Sequence, residues 1–499
     1  MRKSRDAVFF GTAVIFGLGV ILASFASGTT EKASTGGGLP PVQLIMMIPG
    51  PPQKEQALVD DAISKYLQST LNVKLDIQQF DYSAWNQRSN LIVASGEPCD
   101  IMFSAAWSGF NTNAVNGAFV DLTDLVKKYG PDILKSNYTW TLDAGKIGGK
   151  LYGIPTYQEL AQQRGFFLRK DLVDKYHFTI KPVNNVTDLE PMLQTIKANE
   201  PTMLPLFMEP GHLLSEMGPW DRQGQFETTA IDIYSGKPQY ENFYDNNYYR
   251  TSMAIARRWY LAGYVNKDIA TTQQNAYDVM KGGNVFAVGA ITNAGLQDAK
   301  FSKAWGVPIV SFNTIKPIIS TSLVQGALFT IPIQSKNRER AMMFIDRMHV
   351  DKQLDNMLVY GIEGVDYVKT ADNVIGPPPG AQANSLYQGV YWMMGNESLL
   401  YAYGDQPANT SQLLDQFNQS AVRTPSLGFT YNPENMKNQI AALTNVAAQY
   451  DPAISSGSVD ANAGGLYHQF LDKLKAAGID QLLADQNSQL AAWQQQNKQ

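Results

Sequence analysis

Carboxylates are the first residues in this chain whose chemistry invites a role. Glu159, Glu209 and Glu363 stand in loop-like stretches beside aromatic, proline or glycine residues. Two of them across one glycosidic bond would make an acid and nucleophile pair, although a hydrogen-bonding or structural role is the commoner use of such residues. His177, His212, His349 and His468 lie in separate segments without ligand spacing, and Cys99 is the only cysteine. A Cys/His zinc site and an intramolecular disulfide are therefore not expected. No phosphate-cradling glycine loop, nucleophile elbow, H-E-x-x-H pair or calcium hand occurs. No catalytic residue and no cofactor or metal ligand is assigned.

What the chain has in quantity is aromatic and amide side chains, with 24 Tyr, 22 Phe and 8 Trp. Aromatic rings stack on the apolar faces of sugars, while amides, carboxylates and guanidinium groups satisfy the hydroxyls. Trp107, Trp140, Tyr157, Trp220 and Trp392 are the aromatic candidates for a ligand site, and Asp81, Gln158, Arg164 and Glu363 the polar ones. Glu363 has two readings, as an acceptor of sugar hydroxyls or as a clamp on its own loop. The net charge of −5 lacks the basic footprint of a nucleic-acid binder. Without residues 1–26 the balance is 37 basic to 44 acidic residues. A neutral sugar suits this balance better than a peptide.

These side chains need elements to hold them. Residues 42–48, 73–77 and 100–103 read as strands, separated by amphipathic helices over 54–71 and 85–94. Alternating strands and helices predict a mainly parallel sheet, with ligands bound outside the carboxyl ends of its strands. Those ends hold 49–53, 80–82 and 104–110, where Trp107, Asp81 and Tyr82 lie. The stretch AGKIGGKLYGIPTYQ at 144–158, with four glycines and Pro155, separates this first α/β segment from a second that starts at 163–170. A polar, aromatic-bearing crossover between two lobes is where a hinge and cleft would sit. The first lobe is expected to comprise 42–154 and 282–328, the second 155–281 and 329–424. Residues 425–499 carry three helical patterns and form a separate helical extension. At 499 residues the chain is long enough for this many units.

The N-terminus has Arg2, Lys3 and Arg5 before an apolar run over 7–23 and small residues after it. This reads as a secretory signal over 1–26, either cleaved or retained as an anchor, followed by a Ser/Thr/Gly-rich tether over 27–41.

Several segments, in order, resemble the bacterial extracellular solute-binding proteins of ABC importers (family 1). ASGEPCDIMFSAAW at 94–107 is similar to the family's S-G-E/D-x-x-D-[IL]-x-F-T segment, and NGAFVDLTDLVKKYGPDI at 116–133 to its G-x-F-x-x-L-x-[DE]-L-x-x-x-Y-G-P segment. GKLYGIP at 149–155 and YGIEGVDY at 360–367 follow the crossover and Y-G-x-E-G-x-x-Y patterns. The tail resembles the C-terminal helical domain of unknown function seen in carbohydrate-linked members. The resemblance implies an α/β, two-lobed, type II periplasmic-binding-protein-like fold with a hinge between the lobes. It implies a monomer outside the cytoplasm that captures an oligosaccharide and delivers it to the transmembrane subunits of an ABC permease, with no nucleic acid as partner. Leu22–Ala23–Ser24 is followed by Phe25 and not by the acylated cysteine common in the family, so membrane contact is left to the N-terminus or the permease. A ligand sensor or surface glycan-binding protein of the same fold is the alternative, and a glycoside hydrolase or lyase a further one.

Overall fold

Three parallel strands open the first lobe: Val42–Pro49, Val73–Phe80 and Ile101–Ser104. Between them run the helices Gln56–Leu67 and Tyr82–Ser95, so each connection is a crossover. The first helix buries Val59, Asp60, Ile63 and Leu67, spaced by one, three and four residues so that they share one face. Asp60 is not stranded there, because the Ile77 amide donates to it at 3.0 Å and ties the helix to its neighbouring strand. The computed structural model of the protein describes residues 38–210, 213–222, 228–293, 297–381 and 386–497. The expected signal segment, most of the tether and His212 lie outside the described residues.

The first-lobe sheet has the order 73–80, 42–49, 101–104, 328–330, 154–155. Its last members return late: Leu328–Thr330 runs antiparallel to both Ile101–Ser104 and Ile154–Pro155. The second-lobe sheet has the order 309–313, 164–169, 285–291, 204–207, with Arg164–Arg169 antiparallel to both of its neighbours. This corrects the expected division of the chain. Val285–Ile291 pairs with Arg164–Arg169 and Leu204–Phe207 and belongs to the second lobe. Conversely, Leu328–Thr330 and the helix Arg338–Met348 belong to the first lobe, where Ala341, Phe344 and Ile345 are fully buried in its core. The reason is physical. VFAVGAI is almost wholly buried, as the centre of any parallel sheet would be, and a run without alternation carries no mark of which sheet it enters.

Three segments join the lobes: 156–162, 314–327 and 404–424. In them Ile318–Ile319 pairs in parallel with Val422–Arg423. Asn418 braces the first crossing, since its Oδ1 accepts the amides of Leu160 and Ala161 at 2.9 and 3.0 Å. Its Nδ2 donates to the Gln158 carbonyl at 2.7 Å. The tail helices Lys437–Ser455, Leu466–Ala476 and Ile479–Asn497 pack on the second lobe, sharing one core with Tyr240, Phe243, Tyr244 and Tyr249.

Candidate functional site

The carboxyl edge of the first-lobe sheet builds one wall of a cleft. Phe103, fully buried at the end of its strand, is the anchor. Trp107 leans on it with ring centroids 5.7 Å apart, and Trp392 meets it edge-on at 5.9 Å. Trp107 lies on the single turn Ala106–Ser108 directly after the strand and remains 43% exposed, because its indole N–H is held by the Gly326 carbonyl at 3.0 Å. Gln158 reaches the same glycine: a Cβ on Gly326 would lie 3.6 Å from the Gln158 Nε2. Tyr82 and Tyr391 stand exposed nearby, at 44% and 42%. The turn bearing Tyr391 and Trp392 is fixed by Thr156, whose hydroxyl donates to the Trp392 carbonyl at 3.3 Å.

A pair of carboxyl groups lies where this wall meets the second lobe. The Glu159 amide donates to Glu397 Oε2 at 3.3 Å, while the Glu397 amide donates to the Tyr157 carbonyl at 2.7 Å. From the second lobe, Asn293 and Gln297 donate to the Glu159 carboxylate, Gln297 at 3.3 Å. Asn293 follows the strand Val285–Ile291 with φ +44°, a left-handed conformation that asparagine tolerates. Its side-chain oxygen meanwhile accepts the Gln163 amide at 3.3 Å. Burial pushes Glu397 up to about 8, aided by the neighbouring Glu159 charge and opposed by the Glu159 amide and Lys300. Glu159 is also raised by burial, with Gln297 and Asn293 pulling it back. Tyr391, although 42% exposed, has its hydroxyl raised to about 12, first by desolvation and then by Glu397, Glu159 and Tyr82. At neutral pH Glu397 therefore carries a proton it can donate and Glu159 offers acceptors. Aromatic faces, amides and two neighbouring carboxyl groups come together here, a set suited to a polyhydroxylated ligand.

Of the residues expected at a site, Trp107, Trp392 and Gln158 come together here, and Asp81 is exposed at the neighbouring strand end. The others are spent elsewhere. Trp220 is 4% exposed and packs edge-on against Phe243 and Tyr248. Tyr157 is buried against Tyr138, with centroids 4.4 Å apart. Trp140 is roofed by the Arg423 guanidinium at 4.2 Å from its ring. Arg164, surrounded by protein, donates to the Glu216 and Gly218 carbonyls at 3.1 and 3.5 Å. Glu363 is an exposed partner of Lys369 at 3.1 Å. Sequence reasoning missed Glu397, Asn293, Gln297 and Tyr391. The signal for Glu397 was available, since it directly follows the aromatic run YQGVYWMMGN. Among the described residues no group of three His, Cys, Asp or Glu is placed to hold a metal ion.

Residues 50–348 match the family of bacterial extracellular solute-binding proteins. The chain belongs to that family. Residues 425–495 match a domain of unknown function, DUF3502, which gives the helical tail its boundaries. A carbohydrate ABC transporter substrate-binding protein of Streptococcus pneumoniae is 26% identical over 489 residues, covering 96% of each chain. The crystal structure of the N-glycan transport solute-binding protein NgtS of the same organism matches with a TM-score of 0.81 and 26% identity, over 92% of this chain and all of that one. In complex with Man5GlcNAc, NgtS matches at 0.66 with the same identity and coverage. The fold is that of two-lobed solute-binding proteins. As a member of the family it works outside the cytoplasm, as a binding protein and not an enzyme.

Proposed function

We propose that this solute-binding protein captures an oligosaccharide between its lobes and delivers it to the transmembrane subunits of an ABC importer. The observation that carries the reading is Trp107, an indole held by its N–H with its face left exposed, in the same cleft as the Glu159, Glu397, Asn293 and Gln297 groups. An indole fixed in this way offers a flat apolar platform at little entropic cost, while the polar set satisfies hydroxyls. Trp392 and Tyr391 extend the platform, and Gln158 adds an amide at its edge. Closure turns on the 156–162 crossover, and ligand binding favours the closed state by bridging both walls. The relatives transport carbohydrates, and one of them is known with Man5GlcNAc. The N-terminal segment carries the chain out of the cytoplasm and is either cleaved or retained as an anchor. It acts as a monomer until it meets the permease.

The test is calorimetric titration of the mature protein with Man5GlcNAc and other neutral oligosaccharides, with chromatography of the sugar afterwards. Saturable binding of an intact sugar is expected, and Trp107→Ala is expected to weaken it about tenfold, the factor that ~1.4 kcal/mol of stacking supplies. Silence across neutral oligosaccharides, or cleavage of the sugar, would overturn the reading.

A further inference from the structure

We propose that the Glu159–Glu397 pair is a specificity filter that admits neutral sugars and turns away sugars bearing carboxylates, such as uronic or sialic acids. The inference rests on the carbohydrate reading above and names the class of sugar that the cleft takes. It stands on geometry. Glu159 is fixed by Asn293 and Gln297 from the second lobe, and its own amide holds Glu397 Oε2 at 3.3 Å. Asn293 and Gln297 are thereby turned toward Glu159, so a ligand carboxylate approaching these amide donors meets an acidic group beside them. The Glu397 side chain is half-buried and so keeps part of its surface toward solvent.

The surrounding groups decide the sign of the field. Among the described residues Lys300, on the helix Asp298–Trp305, is the cation acting on both glutamates, and it is exposed, so solvent screens it. Asp355, on the helix Lys352–Tyr360, lies behind Glu397 and is fully buried, and that burial keeps its proton on. Tyr391 and Tyr360 feel Glu397 but stay neutral through the physiological range, because burial raises both phenols. What faces a ligand is a pair of acidic groups that gains negative charge as the pH climbs through the Glu397 titration. A ligand carboxylate placed beside them meets like charge in a partly desolvated site, where such repulsion is strong. A hydroxyl instead accepts from protonated Glu397 and donates to Glu159.

The experiment compares Man5GlcNAc with the same glycan oxidised at its primary hydroxyls to carboxylates, so that scaffold and size are matched. Affinities are measured by calorimetry at pH 6.5 and 8.5 for the wild type and Glu159→Gln/Glu397→Gln. Carboxyl carbon shifts of the ligand-free protein, wild type and Glu159→Gln, are followed by NMR across the same range. The oxidised glycan is expected to bind about tenfold more weakly than the neutral one at pH 6.5. The ratio should widen at pH 8.5 and shrink towards unity in the double variant. One glutamate should titrate above pH 7 in the wild type and at lower pH in Glu159→Gln. Equal affinity for the two glycans, or a ratio untouched by the double variant, overturns the filter while leaving the carbohydrate reading intact. Two ordinary glutamate titrations overturn the pair whatever binds. If the titrations are as expected but neither glycan binds, the carbohydrate reading has failed and the filter falls with it.

Discussion

Trp107 and Trp220 show how little a residue's type says about its use. Both are tryptophans in loop-rich stretches, yet Trp107 is 43% exposed and Trp220 is 4% exposed. Trp107→Ala should therefore lower the urea midpoint far less than a core truncation, because much of its surface faces solvent and not protein. Trp220→Ala opens a cavity among Phe243, Tyr248 and the tail helices and should cost ~3–5 kcal/mol in the same measurement. Trp107 was legible because it follows a strand whose apolar residues were unmistakable, and the carboxyl end of a parallel strand is a place where ligands bind. Trp220 was not, since its neighbours come from 243–248 and beyond. The YGIEGVDY motif carries a similar lesson. Gly361 has φ +78°, and a Cβ there would strike the Asp366 carboxylate at 2.3 Å. Asp366 accepts the Ile362 and Tyr387 amides at 2.8 and 3.2 Å. The motif's working acid is thus Asp366, a loop clamp, and Glu363 faces solvent.

At the scale of elements, the crossings between lobes depend on a residue with no sequence signature. Asn418 sits in the helix Thr410–Ser420, roughly 250 residues after the crossover it holds. Asn418→Ala would leave the buried amides of Leu160 and Ala161 without an acceptor, at ~1–3 kcal/mol each. A loss of ~2–4 kcal/mol in unfolding free energy is expected, with faster hydrogen exchange confined first to 157–163. Asn418→Asp keeps the acceptor but sets a buried carboxylate oxygen against the Gln158 carbonyl, so it should recover only part of that loss. The crossover itself was readable from its glycines and Pro155, and the strands on either side from their apolar runs. The assignment of Val285–Ile291 and Leu328–Thr330 to lobes was not, because sheet membership is decided by backbone pairing and neither run shows which partner it takes.

For the molecule as a whole, the tail completes the second lobe. Arg257 donates to the Gly457 carbonyl at 3.0 Å, and Gly457 approaches so closely that a Cβ would lie 2.3 Å from the Arg257 amide. Asn487 makes both bonds to the Tyr240 backbone, at 2.8 and 3.0 Å. A chain ending at residue 424 would uncover Tyr240, Phe243, Tyr244 and Tyr249 together, a contiguous apolar face. It should bind a hydrophobic dye and aggregate, whereas the full chain does neither. Stability against pH also belongs to the whole chain, because its buried acids lie in different units. Asp60 and Asp346 in the first lobe and Asp451 in the tail are each raised to about 6, mainly by burial, and Glu397 to about 8. An acid whose folded pKa is raised binds its proton more tightly when folded. Its contribution is present below the unfolded value and is lost as pH climbs to the folded one. The three aspartates have therefore given up theirs by about pH 7. Buried His349, whose pKa is lowered by desolvation, acts the other way, since unfolding lets it protonate, but only below its ordinary value of 6.5. Exposed acids held low by cations, such as Asp171 beside Arg169, gain their small share near pH 4 and change nothing above it. Between pH 7 and 8.5 Glu397, raised to about 8, is on the move. The melting temperature should fall across that interval in the wild type, and Glu397→Gln, which keeps the shape and cannot ionise, should flatten the fall. A melting temperature that rises from pH 7 to 8.5, or a slope unchanged by Glu397→Gln, would mean that the cleft glutamate is already ionised in the folded protein.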